Sequence, residues 1–268
     1  MQKLGQHFLK NKSVIKKIIA SLELKEGEAV IEIGPGHGEL TMALREIARP
    51  SGSKIVVIEK DEELAAELER LKEPNGVEIK VIKGDALKVL GDASLSLGKK
   101  PYALVGNIPY YITGKLLRTT GELSHKPTVC IFMVQKEVAL RATNIPPRMN
   151  RLSASIQFWA RPSILASVPR TDFAPPPNVD SALLRLDTLP QKSKKEESGY
   201  YKVLAALFAQ PRKTILNNIS QASTLSREII SKNLMDCGII PENRPQNLAV
   251  QDIMAIARSE IAASLKSR

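Results

Sequence analysis

Cysteine is almost missing from this chain. Its 268 residues include two, Cys130 and Cys237, too few for a metal cluster or a disulfide framework and in keeping with a reducing cytosol. No apolar run is long enough to span a membrane, and no charged-then-apolar leader opens the sequence. Neither a membrane span nor secretion is therefore expected, and a cytoplasmic protein is. Aromatic residues make up 4%, which argues against a broad stacking platform for single-stranded nucleic acid. Internal repeats and low-complexity segments are absent too.

What is present describes a soluble globular protein with 43% hydrophobic and 25% charged residues. It is long enough for one large domain or two unequal ones. The formal net charge is +11, a surplus that points to a polyanionic partner, nucleic acid first. From Pro190 onward 12 Lys and Arg stand against 7 Asp and Glu, leaving +5 on that stretch.

Periodicity gives the architecture. Val14, Ile15, Ile18, Ile19 and Leu22 recur at helical spacing behind an Asn11 or Ser13 cap, whereas the opening Leu4–Leu9 has neither period. Ala29–Ile33, Lys54–Ile58, Val77–Ile82, Tyr102–Gly106 and Thr128–Val134 read as strands, with helices between them. Leu152, Ile156 and Trp159 share a helical face. Two late strands, Ile164–Val168 and Ser181–Leu186, flank a stiff loop, Phe173-Ala174-Pro175-Pro176-Pro177. Strand and helix alternate five times and then two strands come together. The expected fold is a doubly wound α/β sheet, mostly parallel, with an antiparallel hairpin at one edge. Lys192–Ser198 is polar and aperiodic and is expected to be a linker. Beyond it every pattern is helical, so residues 1–189 and 190–268 are expected to form a ligand-binding α/β domain and a small all-α domain.

The ligand signals sit at strand tips, where open α/β sheets bind. Gly34-Pro35-Gly36-His37-Gly38 follows the first long strand and precedes a helix, so a ligand can approach bare backbone and free N–H groups. A dinucleotide fingerprint would need glycine at position 39, which is Glu39. With Glu32 two residues before the glycines, the turn suits an amino-acid-bearing nucleoside better than a pyrophosphate. Glu59, 21 residues past Gly38, is placed to grip ribose hydroxyls, or alternatively is a solvated acid opening a helix. Asp85 can accept from an adenine amine or cap a helix. In Asn107-Ile108-Pro109-Tyr110, the Asn107 amide oxygen and the Ile108 carbonyl can accept the two hydrogens of an exocyclic amine, while Tyr110 stacks on its ring. Together these tips describe S-adenosylmethionine beside a target amine.

The same motifs carry a family resemblance. Gly5-Gln6-His7-Phe8-Leu9, Glu32-Ile33-Gly34-Pro35-Gly36, Gly84-Asp85-Ala86, Asn107-Ile108-Pro109-Tyr110, Met133–Val138, Arg151-Leu152-Ser153, Phe173–Ala182 and Arg212-Lys213-Thr214 closely resemble the ribosomal RNA adenine N6,N6-dimethyltransferases. That family modifies two adjacent adenosines near the 3′ end of small-subunit ribosomal RNA. The resemblance implies a Rossmann-like class I methyltransferase sheet with a C-terminal helical domain. It implies S-adenosylmethionine as cofactor, no metal, and immature small ribosomal subunits as partner, with a monomer expected. By the same resemblance Gln6, His7, Leu9, Glu32, Gly34, Gly36, Gly38, Glu59, Lys60, Asp85, Ala86 and Asn107 would line the cofactor site. Asn107, Ile108, Pro109, Tyr110 and Phe173 would hold the adenine, the two rings enclosing it, and Arg151, Arg212 and Lys213 would contact RNA.

Two positions depart from the pattern. His7 stands where many relatives have Asn, and Pro211 where the family often has another arginine. Rival readings are a large-subunit adenine methyltransferase, which shares the Asn-x-Pro-Tyr turn, and a non-catalytic RNA-binding assembly factor. The intact Gly34, Glu59, Asp85 and Asn107 set argues against the second.

Overall fold

The computed structural model describes residues 7–71 and 77–266, with the backbone alone at Ser51. Contacts divide the chain into two units, 1–140 with 160–188 and 141–159 with 189–268. The division expected at residue 190 left residues 141–159 with the first unit; the structure groups them with the second.

The first unit carries a seven-stranded sheet. Its strands are β2 (Ala29–Ile33), β3 (Ile55–Glu59), β4 (Ile79–Lys83), β5 (Tyr102–Asn107), β6 (Val129–Gln135), β7 (Ala160–Val168) and β9 (Ser181–Thr188), in the order β4-β3-β2-β5-β6-β9-β7. β2, β3 and β5 are apolar runs with almost every residue buried, the composition that covered parallel strands require. β4 to β6 run parallel, while β9 lies antiparallel to both β6 and β7. The order reverses between β2 and β5. Tips of β2, β3 and β5 therefore face a common crevice at a topological switch point.

Intervening helices cover the sheet. α1 (Lys12–Leu22) is capped by the Asn11 side chain, which accepts from the Ser13 N–H. Eleven residues make a marginal helix alone. It is held by burying Ile15, Ile18 and Leu22 in the core beside Leu40 and Leu44 of α2 (Glu39–Ser51), at roughly 1.5–3 kcal/mol per side chain. α3 (Glu62–Arg70) and α4 (Ala86–Leu95) start at Asp61 and Asp85, and α5 (Thr113–Glu122) follows the Asn107 turn.

The opening segment differs from its aperiodic reading. Phe8–Leu9 is a short strand, β1, paired antiparallel with β8 (Phe173–Ala174). A two-residue strand has no period to detect, and its partner lies far along the chain. Two further hydrogen bonds reinforce it: Lys10 N–H donates to the Asp172 carbonyl (2.8 Å) and the Asn11 amide to the Asp172 carboxylate (2.9 Å).

α6 (Lys136–Ala142) follows β6 and runs past Leu140, where the chain leaves the first unit. The second unit's helices are α7 (Arg151–Gln157), α8 (Lys194–Leu207), α9 (Ile215–Ala222), α10 (Arg227–Asp236), α11 (Val250–Arg258) and α12 (Glu260–Ser264). Tyr200, fully buried, stacks on Phe158 at 4.2 Å and donates to the Ala154 carbonyl at 2.8 Å. Those contacts are why residues 141–159 belong here. Lys192–Ser198 is not an unstructured linker either. Ser193 and Glu196 form a reciprocal capping box, so α8 begins inside that stretch. Among the described residues no helix is long and apolar enough to cross a membrane.

Candidate active site

The tips of β2 to β5 enclose a crevice of about 790 Å³, counted to its open mouth. At its base lies the glycine turn. Gly34 and Gly36 both line it, and Gly36 adopts φ +59°. A Cβ there would come within 2.8 Å of the Phe8 ring, so only glycine fits beneath the β1 strap.

Glu59 ends β3 and is 6% exposed. Its Oε1 accepts the N–H groups of Lys60 (2.8 Å) and Asp61 (2.9 Å), and its Oε2 accepts from Gly36 (3.3 Å). Burial raises the carboxyl above its usual range, and the three N–H donors oppose that rise. Oε1 is thus engaged by backbone, while Oε2 retains capacity to accept from a ligand hydroxyl. Across the crevice Asp85 caps α4, its Oδ1 accepting from Leu87 N–H at 3.0 Å, with Lys60 Nζ 3.5 Å from Oδ2. The cap and the pocket position are therefore the same residue. Ile33 and Ile58 supply apolar wall between the acids, a surface suited to a purine ring.

Asn107 closes the far side. Its Nδ2 donates to the His7 carbonyl at 2.7 Å. A carbonyl can only accept, so the amide nitrogen must face His7 and the oxygen must face away from it. His7 is itself tied down: Nδ1 lies 2.8 Å from the Pro175 carbonyl. A carbonyl only accepts, so in this contact Nδ1 is the donor. Ile108 N–H is spent on the Met133 carbonyl, and the Pro109 carbonyl accepts from Ile112 N–H at 3.1 Å. Among the described residues no donor meets the Ile108 carbonyl. Tyr110 shares a hydrogen bond with Ser181 Oγ (2.7 Å), and burial keeps its phenol protonated by raising its pKa.

The crevice thus gathers His7, Gly34, Gly36, Glu59, Lys60, Asp85, Ala86, Asn107, Ile108, Pro109 and Tyr110. Other expected residues lie elsewhere. Phe173 is 3% exposed within the hydrophobic core and does not line the crevice. Its pairing with Leu9 turns it inward, which corrects its expected place opposite Tyr110. Gly38, with φ +88°, starts α2 and packs toward Leu68 and Leu71. Leu9 and Glu32 line a smaller neighbouring cavity that also touches Gly34 and Asn107. Glu32 is 1% exposed and accepts from the Thr41 hydroxyl at 2.6 Å, and burial pushes its carboxyl up to about 8. Gln6 lies outside the described residues.

In the second unit Arg151 lines a cleft with Arg141, Arg148 and Phe208, and Arg212 and Lys213 are exposed on the loop before α9. Crevice residues not expected to line it are Phe8, Ile33, Ile58, Gly84, Tyr111 and Ile112. Phe8, Ile33 and Gly84 lie within the motifs quoted above, and the others adjoin or closely follow a motif or an expected site residue. No group of three His, Cys, Asp or Glu suited to a metal occurs among the described residues.

Comparison with known proteins identifies relatives along nearly the whole chain. Residues 1–261 match the family described as ribosomal RNA adenine dimethylase. A ribosomal RNA small subunit methyltransferase A of Dehalococcoides mccartyi is 38% identical over 253 residues, covering 93% of this chain and 84% of that one. The protein of the same name from Pelotomaculum thermopropionicum is 37% identical over 274 residues, covering 97% and 91%. Among solved structures, a dimethyladenosine transferase from Plasmodium falciparum matches with a TM-score of 0.78 at 23% identity, covering 97% of this chain and 99% of that one. A 23S rRNA methyltransferase matches at 0.70 and 24% identity, covering 93% and 98%. At those identities the structural likeness speaks to the fold.

Proposed function

The chain belongs to the ribosomal RNA adenine dimethylase family, and from that premise we propose that its crevice methylates adenine bases of small-subunit ribosomal RNA with S-adenosylmethionine as donor. It is an enzyme, a 16S-type adenine-N6,N6-dimethyltransferase acting on two adjacent adenosines near the RNA 3′ end during ribosome biogenesis. The observation that carries this reading is the fixed amide of Asn107, whose oxygen is turned away from the His7 carbonyl beside the unengaged Ile108 carbonyl.

The residues present fit the cofactor. Gly34 and Gly36 line the crevice with bare backbone that a ligand can approach, and Glu59 Oε2 keeps acceptor capacity for a ribose hydroxyl. Asp85 and the Ile33 and Ile58 wall suit an adenine edge and face, His7 lines the same crevice, and Leu9 lines the neighbouring cavity. When bound, S-adenosylmethionine supplies a methyl group activated by a positively charged sulfur.

The chain's own groups prepare the amine. An adenine N6 lone pair is delocalised into its ring and is a poor nucleophile. Accepting both N6 hydrogens, on Asn107 Oδ1 and the Ile108 carbonyl, favours a pyramidal nitrogen with its lone pair free. Tyr110 offers a ring face to the purine, held by its bond to Ser181. Positioning supplies most of the rate. The alkylated nitrogen loses its proton to water readily, so no residue is assigned as general base. A base within RNA secondary structure must leave its stack to enter, and Arg151, Arg212 and Lys213 are proposed to hold RNA phosphates.

The test is transfer of labelled methyl to small ribosomal subunits lacking the mark, read by mass spectrometry of the nucleosides. Dimethyladenosine is the expected product. Cofactor binding without any transfer would favour the non-catalytic assembly factor instead.

A further inference from the structure

Beside the crevice, at the tip of β6, lies a second depression of about 970 Å³ counted to its open side. Strand pairing places it next to the methyl-transfer site. Asn107 pairs with Met133 on β6, and Gln135 at that strand's end pairs with Ser181, the residue that holds the Tyr110 hydroxyl.

The groove is built around Asp180. Its carbonyl accepts the Lys136 N–H at 3.0 Å and its carboxylate accepts the Arg170 N–H at 3.1 Å. One residue thus fixes the backbones of two cationic residues on the rim of one groove. Both are exposed, and among the described residues neither side chain forms an ion pair. The same groove is lined by Leu140 and Val179, 50% and 44% exposed. Glu137 and Asp180 cancel the net charge of Lys136 and Arg170. The groove is therefore no general polyanion trap. It offers two exposed cations, two exposed aliphatic side chains, and carboxylates able to accept from an exocyclic amine.

We propose that this groove seats the nucleotide adjoining the target adenosine, with its phosphate on Lys136 and Arg170 and its sugar and base over Leu140 and Val179. The inference rests on the RNA substrate proposed above. It gives the enzyme a grip on the substrate strand beyond the flipped base, which is the kind of contact that sets register.

The experiment measures methyl transfer by the wild-type chain and by the Lys136→Ala/Arg170→Ala double variant. The substrate is an unmodified RNA of the small-subunit 3′ end, made with native phosphates or with a single neutral methylphosphonate on either side of the target. The double variant is expected to raise KM for native RNA about tenfold, the loss of roughly one charge-assisted contact. Its kcat should stay within about twofold and its calorimetric affinity for S-adenosylmethionine should not change. One of the two neutral linkages should raise the wild-type KM by a similar factor and should add nothing further in the variant.

Lys16→Ala/Lys17→Ala, an equal loss of charge on exposed α1 positions, should leave KM unchanged. Thermal melting checks that both variants fold. An unchanged KM in the groove variant, additive effects with the neutral linkage, or a fall in kcat alone would overturn the proposal. If wild-type protein transfers no methyl to any of these RNAs, the functional reading beneath it is what has failed.

Discussion

Asn107 does two jobs with one amide: Nδ2 is spent on the His7 carbonyl, and that bond aims Oδ1. Asn107→Ala removes the aimed acceptor without touching the glycine turn or Glu59. The expected result is a fall in kcat of about a hundredfold or more, the scale for losing one preorganised polar contact at a reacting centre. Cofactor affinity by calorimetry should shift only mildly, and near-normal turnover would refute the role. Glu59 carries the complementary expectation. Its carboxylate is buried with three backbone donors, so Glu59→Ala strands those N–H groups as well as losing the ligand contact. Cofactor binding should weaken by ~1.5–3 kcal/mol, and calorimetry showing unchanged affinity would exclude it. His7 shows where single-residue reading stops. The sequence gives an imidazole, but its proton is placed by a carbonyl 168 positions away.

Elements were legible wherever burial imposes a period. β2, β3, β5 and β6 are covered on both faces and announce themselves as apolar runs; α1 shows the expected stripe and cap. What escaped is short or distant. β1 and β8 contain two residues each, and the strap they form follows from tertiary pairing. Asp85 was read as either cap or ligand contact, and the structure uses one side chain for both positions. Lys192–Ser198 read as a break because its polarity hides a capping box. The helical pattern beyond Lys192–Ser198 does not show the break at Ser259, which is extended, with ψ 172°, and whose hydroxyl starts α12. Phe173 follows from the same cause as β1. Its Phe-x-Pro-Pro-Pro setting suggested a ring at the substrate, and strand pairing with Leu9 places it in the core. Phe173→Ala is accordingly expected to lower unfolding free energy by about 3–5 kcal/mol, the range for truncating a buried aromatic. Denaturant unfolding measures this, and a loss under about 1 kcal/mol would show the ring to be peripheral.

At the scale of the whole molecule, two charge terms act in different directions. The surplus of +11 favours an RNA partner and makes transfer fall steeply with salt. Folding stability answers instead to a buried acid. Glu32 sits behind the glycine turn; burial drives its carboxyl from 4.5 up to about 8, the Thr41 hydroxyl opposes the rise, and Glu59 and Glu39 add to it. Below the ordinary value both folded and unfolded chains hold this proton. Between 4.5 and about 8 the unfolded chain has released it while the folded chain keeps it, so the folded state binds more protons. Stability then falls as pH rises through that window and levels off above it. Glu59, also raised, contributes with the same sign. Glu32→Gln keeps the shape and an acceptor for Thr41 but cannot titrate. Its urea midpoint should therefore decline less than that of the wild type between about pH 5 and about pH 8, other groups cancelling in the difference. Parallel declines in the two proteins would mean that Glu32 is ionised in the folded state, and with it that the cavity behind the glycine turn is wetter than its burial implies.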